Sequence, residues 1–213
     1  KYRHHRQISL FRSFQNLGFS EGNNFLFQKI PLSIYQYVLL LNNDVLLHPF
    51  FLKHLLDLAK SNRSASIIGP KIYFAPGFEY HQKRYQPQHR GKVIWSVGGK
   101  IDWLNIYGSN KGIDEIDTGQ YEQISTDNDF ISGCAMLIPS RLLKKLNYFD
   151  QRYYMYLEDA DLCQRAKKMG AKLIYAPKSM KLSQSTPIQR RTRRAFTLVE
   201  LIAVMALLVT VIA

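Results

Sequence analysis

Every residue from Tyr37 to Leu41 is apolar, which predicts a strand covered on both faces of a sheet. Pro49 then stands where the first turn of a helix would begin, and Leu52, Leu55, Leu56 and Ala59 recur on one face of it. Ile67 to Tyr73 reads as the next strand. Val93 to Val97 and Lys100 to Leu104 flank Gly98-Gly99, a pattern that predicts a hairpin. Phe130 to Ile138 is a further strand, followed by a short helix over Ser140 to Leu146. Leu162, Ala166 and Met169 fall at helical spacing, with Gly170 where a C-terminal cap belongs. Lys172 to Ala176 forms the last strand of this body, stopped by Pro177. Upstream, Ile8 to Phe14 suits a strand before a turn at Asn16-Leu17-Gly18, and the acidic stretch Asn105 to Asp129 reads mostly as loop. The alternation predicts an α/β domain with a mixed, mostly parallel sheet.

The last residues follow a different pattern. From Phe196 to Ala213 only Thr197, Glu200 and Thr210 interrupt an apolar run, preceded by Arg190, Arg191, Arg193 and Arg194. As a helix the run would be about 27 Å long, close to the thickness of a hydrocarbon core. Its cationic flank would stay cytoplasmic. Pro187 and its Ser- and Gln-rich surroundings read as a linker. The expected organisation is a domain over 1–182, a basic linker over 183–194 and a membrane helix over 195–213. At the other end, Lys1 to Arg6 is basic, with neither an initiator Met nor a signal peptide, so the chain is expected to begin inside a longer protein.

Composition narrows the class. The 213 residues are 46% hydrophobic and 13% aromatic, which excludes a disordered chain. Cys134 and Cys163 cannot build a disulfide framework and lack zinc-site spacing, so a reducing compartment is expected. The net charge of +13 points to acidic partners, whether nucleic acid, anionic lipid or phosphorylated substrates, without choosing among them.

Two acidic motifs could carry chemistry. Asn42-Asn43-Asp44 directly follows the first apolar strand, at the carboxyl end where ligands of α/β sheets collect. A carboxylate flanked by amides can hold a divalent cation bridging phosphate oxygens, although the same residues suit a strand-to-helix turn. Glu158-Asp159-Ala160-Asp161 opens the helix behind Tyr153, Tyr154 and Tyr156. Acids there complement the helix dipole, and they would equally suit a general base beside a sugar-stacking wall.

The ordered series is more specific than either motif. Asn16 to Asn24, the run Leu39 to Asp44, Ile131 to Ile138 and Phe149 to Pro177 together resemble family 2 glycosyltransferases, in particular the rhamnosyltransferase-like group of bacterial surface polysaccharide synthesis. The resemblance covers roughly residues 8–185. It implies a GT-A fold, a nucleotide-sugar donor, a glycan or lipid-linked acceptor, a divalent metal (Mg²⁺ or Mn²⁺) and no nucleic acid partner. By position, Asp44 matches the metal-binding acid, with Asn42 and Asn43 on the donor side. Asp159 of the Glu158-Asp159 pair matches the catalytic base. Gly18, Gly22, Asn23 and Asn24 match the turn and helix start near the donor, and Gly133 and Cys134 the strand approaching the sugar. Asp161 and Arg165 match a supporting helix. The implied reaction is a single in-line displacement with inversion. Two departures stand out. The family's first strand and helix are not represented, which implies a truncated GT-A fold with impaired activity. No His follows Pro177, the six being His4, His5, His48, His54, His81 and His89; His48 suits a helix start better than a ligand.

The tail resembles another family. Arg193-Arg194-Ala195-Phe196-Thr197-Leu198-Val199-Glu200 is similar to the start of a type IV prepilin or pseudopilin. That resemblance implies cleavage by a prepilin peptidase between Ala195 and Phe196, with Glu200 as the acid within the apolar segment. The expected location is the cytoplasmic face of the bacterial inner membrane. The alternative to a glycosyltransferase is a structural, pilin-type segment fused to a passenger.

Overall fold

The computed structural model describes residues 9–62, 66–177, 182–184 and 208–212. In chain order the elements are α1 (Gly18–Lys29), β1 (Tyr37–Leu41), β2 (Val45–Leu46), α2 (Phe51–Ser61), β3 (Ser66–Pro70), β4 (Ile72–Tyr73), β5 (Ile94–Ser96), β6 (Gly99–Asp102), β7 (Tyr107–Asn110), β8 (Ala135–Pro139), α3 (Ser140–Lys145), α4 (Glu158–Lys168), β9 (Lys172–Ala176), β10 (Leu182–Gln184) and β11 (Leu208–Ile212).

The continuous apolar runs have a direct cause: both faces of the main sheet are covered. Val38, Leu40, Ile67, Met136, Ile138 and Leu173 point to one face, against Phe19 and Phe27 of α1, Leu142 and Leu143 of α3, and Leu162, Cys163 and Ala166 of α4. Leu39, Leu41, Ile68, Leu137 and Ile174 point to the other, against Phe51, Leu55 and Ala59 of α2. Successive side chains alternate between the two layers, as a pleated strand requires. His48 opens α2 in the manner expected of a helix-start residue: its Nδ1 accepts from the Phe50 N–H at 3.3 Å and its carbonyl from the Phe51 N–H at 3.0 Å.

The main sheet runs β11-β1-β8-β3-β9, a mixed α/β arrangement of the GT-A kind. Its expected parallel majority is corrected. Among the described pairings β3–β9 is parallel, while β1–β8, β3–β8 and β1–β11 are antiparallel. Apolar continuity reports burial on two faces and says nothing of strand direction, so both kinds of sheet produce it. A second sheet, β2-β10-β4-β5, flanks the first, and β6 and β7 form a separate two-stranded ribbon.

Other expectations change with the fold. Residues 9–13 are irregular rather than strand. Gly98-Gly99 does not join β5 to β6 as a hairpin: β5 pairs with β4, and β6 with β7. Gly98 has φ 101°, and a Cβ on it would lie 2.8 Å from Cγ of Asn128, so that glycine serves close approach as well as a bend. Ser183 and Gln184, expected to open a linker, lie in β10. The helix expected over 195–213 falls mostly outside the described residues. Its described part, Leu208–Ile212, is instead a strand along the outer edge of β1. Val209, Thr210, Val211 and Ile212 are β-branched, which favours a strand, and the edge of β1 offers backbone groups to pair. No described helix is long and apolar enough to cross a membrane.

Candidate active site

The end of β1 and the turn before β8 meet in register. Beyond the Leu41–Ala135 pair, the Asn42 N–H donates to the Cys134 carbonyl at 2.9 Å. That bond holds Asn42 half-buried and delivers Asn43 and Asp44 to the surface. The residues before β8 fold back on themselves: the Cys134 N–H donates to Ser132 Oγ at 3.2 Å, and the Ala135 N–H to the Ser132 carbonyl at 3.3 Å. Gly133 is thereby turned toward the start of α4.

There Asp159 is fixed by two backbone donors. Its Oδ2 accepts from the Gly133 N–H at 2.9 Å and its Oδ1 from the Ala160 N–H at 2.8 Å. A Cβ at position 133 would sit 3.6 Å from Asp159 Cβ and 3.0 Å from the Phe19 ring, so glycine permits this approach. The chain reaches α4 through two left-handed residues, Tyr156 (φ 72°) and Leu157 (φ 68°), neither a glycine. Such backbone is costly, about 1–3 kcal/mol per residue, and here it turns the acidic pair inward. Burial and then the charge of Asp159 push the Glu158 carboxyl up to about 7, against the pull of the Glu158 and Tyr156 N–H groups. Burial also raises Asp159, opposed by the N–H groups of Gly133, Ala160 and its own residue. Glu158 is buried, and its Oε2 has no hydrogen-bond partner among the described residues. Burial thus raises both carboxyls of the pair, and Asp159 is the member whose two oxygens each accept a backbone N–H.

Cys134 links the two motifs. Burial, then Asp44, then Asp159 push its thiol up to about 12, so both carboxylates lie within electrostatic reach of one buried sulfur. Asp44 and Asp159, which are far apart in the chain, are brought to the same end of β1 and β8. A recess of about 530 Å³ lies at the opposite end of these strands, around Tyr37 and Pro139, and does not belong to this arrangement.

Helix α1 supports the loop ahead of α4. The Phe19 N–H donates to the Tyr154 carbonyl at 2.9 Å. Gly18, at φ 66°, lies so close that a Cβ would come within 2.7 Å of the Tyr154 ring. Asn24 is buried and doubly bonded to Phe149, donating from Nδ2 at 2.8 Å and accepting at Oδ1 at 3.1 Å. Asn23 is also buried. Its Nδ2 donates to the Phe19 carbonyl at 2.8 Å, while its Oδ1 has no partner among the described residues. Gly22 is half-buried with only Leu17 Cβ near, at 4.0 Å. Arg165 supports the same loop from behind, donating to Asp161 Oδ2 at 2.7 Å, the Leu146 carbonyl at 2.6 Å and the Tyr148 carbonyl at 2.9 Å. Ser132 and Phe19 shape the site without having been singled out from sequence; Ser before Gly at a strand entrance is the turn signal that marks the former. Ala195, Phe196 and Glu200 lie outside the described residues.

Among the described residues no group of three or more His, Cys, Asp or Glu side chains gathers as a metal cage. Asp44 supplies one exposed carboxylate, and two residues before it Asn42 keeps a buried Oδ1 without a hydrogen-bond partner among the described residues. This donor set fits Mg²⁺ or Mn²⁺ only where substrate phosphates and water furnish most ligands, the usual arrangement for a hard cation on a diphosphate.

Residues 3–201 match the family model described as glycosyltransferase like family 2, and the chain belongs to that family. The match runs through the expected linker and into the apolar tail. Among similar proteins, the N-acetylglucosaminyl-diphospho-decaprenol L-rhamnosyltransferase of Mycobacterium tuberculosis is 28% identical over 145 residues, 66% of this chain and 44% of the relative. Rhamnosyltransferase WbbL of Escherichia coli is 41% identical over 58 residues, 26% of this chain and 22% of the relative. The chain thus spans less than half the length of either.

Proposed function

We propose that this chain carries the donor and acceptor chemistry of an inverting glycosyltransferase, moving a sugar from a nucleotide diphosphate to a lipid-linked acceptor in bacterial cell-surface polysaccharide synthesis at the cytoplasmic face of the inner membrane. The observation that carries the reading is that the Asn42–Cys134 and Gly133–Asp159 bonds bring the Asn42–Asp44 turn and Asp159 to the same end of β1 and β8. The N-acetylglucosaminyl-diphospho-decaprenol acceptor in the name of the Mycobacterium tuberculosis relative supports the acceptor class, and both relatives support a rhamnosyl donor.

In this mechanism the acceptor hydroxyl attacks the anomeric carbon while the bond to the diphosphate oxygen breaks and that oxygen leaves with the electron pair. Asp159 takes the hydroxyl proton. Its two backbone bonds leave each oxygen a further lone pair and hold the carboxylate against rotation. Glu158, its carboxyl raised to about 7 by burial and by Asp159, carries less negative charge beside the base than an ordinary glutamate would. Asp44 and the Asn42 amide would hold a divalent ion, which when bound neutralises charge on the departing diphosphate. Gly133, lacking a Cβ that would crowd the Phe19 ring at 3.0 Å, lets its N–H reach Asp159 Oδ2.

Asp159→Asn is the test. It keeps side-chain size and should leave donor binding intact while lowering transfer by about 10²–10⁴-fold, the usual contribution of a general base. A loss below about tenfold assigns the base elsewhere.

The string Phe196-Thr197-Leu198-Val199-Glu200 favours a second reading for residues 195–213, as a prepilin-type segment processed at Ala195–Phe196, whose insertion in a membrane would require Leu208–Ile212 to leave the edge of β1. A carboxylate in an apolar membrane segment carries a cost that a partner amine would offset.

A further inference from the structure

The ribbon formed by β6 and β7 turns its largest apolar side chains to solvent. Trp103 is 63% exposed, Leu104 91%, Ile106 76% and Tyr107 66%. The turn carrying them is built rather than loose. Asp102 Oδ1 accepts from the backbone N–H groups of Leu104 at 3.0 Å and Asn105 at 3.1 Å, and its Oδ2 from Asn105 Nδ2 at 2.7 Å. Ile106 sits at φ 53°, and the strands behind pair from Gly99–Asn110 to Asp102–Tyr107. Two backbone donors of the tip are therefore already satisfied, which lowers the penalty of taking the tip out of water. The tip is also continuous with the candidate site: a Cβ on Gly108 would lie 3.5 Å from Leu157 Cδ2, and exposed Tyr156 and Leu157 lead directly into Glu158 and Asp159.

We propose that the β6–β7 tip, together with Tyr156 and Leu157, is a membrane-docking surface that seats in the interfacial layer of an anionic bilayer and lets a lipid-linked acceptor approach Asp159 along it. The acceptor clause rests on the transferase reading; the docking clause does not. Trp and Tyr flanking Leu and Ile is the composition that settles at headgroup level, and Asp102 and Asn105 at the base of the turn suit the polar side of that layer. The chain as a whole carries +13, which draws it toward an anionic leaflet, while the tip itself carries only Asp102, so its seating rests on the aromatic and aliphatic side chains. A second copy is the poorer occupant. The six side chains together expose on the order of 800 Å², at the lower edge of a stable interface, and their Trp–Tyr belt around Leu and Ile matches a headgroup layer better than a self-complementary core.

The chain has two tryptophans, Trp95 and Trp103, so Trp95→Phe makes Trp103 a sole reporter in the full chain. Phosphatidylglycerol–phosphatidylcholine vesicles carrying bromine near the headgroup should shift its emission to the blue and quench it, whereas Trp95 in the Trp103→Phe chain stays unquenched. Adding Leu104→Ser and Ile106→Ser to the reporter should weaken the quenching at limiting lipid about tenfold. This local signal separates docking by the ribbon from any binding through the apolar residues 196–213. Absence of vesicle binding, or a bound chain whose Trp103 is unquenched, overturns the proposal. A blue shift that grows with protein concentration in the absence of lipid also overturns it, in favour of a second copy. Nucleotide-sugar binding, measured on the same variants, reports the transferase reading separately and should match the unsubstituted chain.

Discussion

Two glycines four residues apart on α1, both matched by resemblance to the donor side, should respond oppositely to alanine. At Gly18 the backbone is left-handed (φ 66°), where an L side chain costs about 1–2 kcal/mol. The added Cβ would also overlap the carbonyl oxygen of Tyr154 and come within 2.7 Å of its ring. Relief requires the Tyr154 segment to move, which sacrifices the 2.9 Å bond from the Phe19 N–H, roughly another 0.5–1.5 kcal/mol. Gly18→Ala should therefore lose about 2–3 kcal/mol of stability. The same shift would misplace the segment that aims Asp159, so transfer should fall further than stability alone explains. At Gly22 the nearest atom to a new Cβ is 4.0 Å away and the residue is within the helix, so Gly22→Ala should gain about 0.5–1 kcal/mol. Urea unfolding measures both, with circular dichroism confirming the native fold at zero denaturant. A Gly18→Ala chain as stable as the parent, or a destabilised Gly22→Ala chain, would refute the placement of α1 against the Tyr154 loop. Weakened nucleotide-sugar binding in Gly22→Ala alone would instead show that the donor contacts that glycine.

Other perturbations test separate parts of the structure. Glu158 binds its proton more tightly in the folded state (about 7) than an ordinary Glu (4.5), so the folded form holds more protons between these values and stability falls as pH rises through them. Glu158→Gln should remove that slope in unfolding titrations from pH 4.5 to 8; an unchanged slope would contradict the burial. Lys71 is 2% exposed and donates to Asp117 at 2.9 Å and Glu122 at 2.6 Å. Lys71→Ala should cost about 3 kcal/mol by leaving the Asp117 charge with no cation and only the Tyr73 hydroxyl and Gly119 N–H as donors, while Glu122→Ala, at the exposed end, should cost under about 1 kcal/mol, both read by thermal unfolding. For the tail, co-expression with a prepilin peptidase should yield a small membrane fragment whose N-terminal sequencing begins at Phe196; an uncut chain would contradict the prepilin reading and leave Leu208–Ile212 as the edge strand along β1.

Legibility in the sequence followed the strength of local constraint. β1 and β9 coincide with the expected bounds because a five-residue apolar run buried on both sides has one simple solution. α4 was legible through Leu162 and Ala166, and its end through Gly170 (φ 81°). The short strands β2, β4 and β10 were not, since two or three residues carry no period. The Gly98-Gly99 hairpin failed because glycine marks close approach as well as turns, and here Asn128 comes close. Lys71 inside the Ile67–Tyr73 run was a readable sign of a buried ion pair, since lysine is seldom enclosed unless paired. Within the site, the acidic motifs were visible, but the bonds orienting Asp159 come from Gly133 and Ala160 backbone, which no side-chain pattern encodes.

In the proposed mechanism Asp44 serves the donor and Asp159 the acceptor. Calorimetric titration of a nucleotide-diphosphate sugar into the full chain, with and without Mn²⁺, measures this most directly. Metal-dependent binding is expected. Asp44→Ala should weaken it at least about tenfold, and Asp159→Asn should leave it unchanged. Binding that ignores both the metal and Asp44→Ala, or that disappears in Asp159→Asn while the fold is intact, would contradict it.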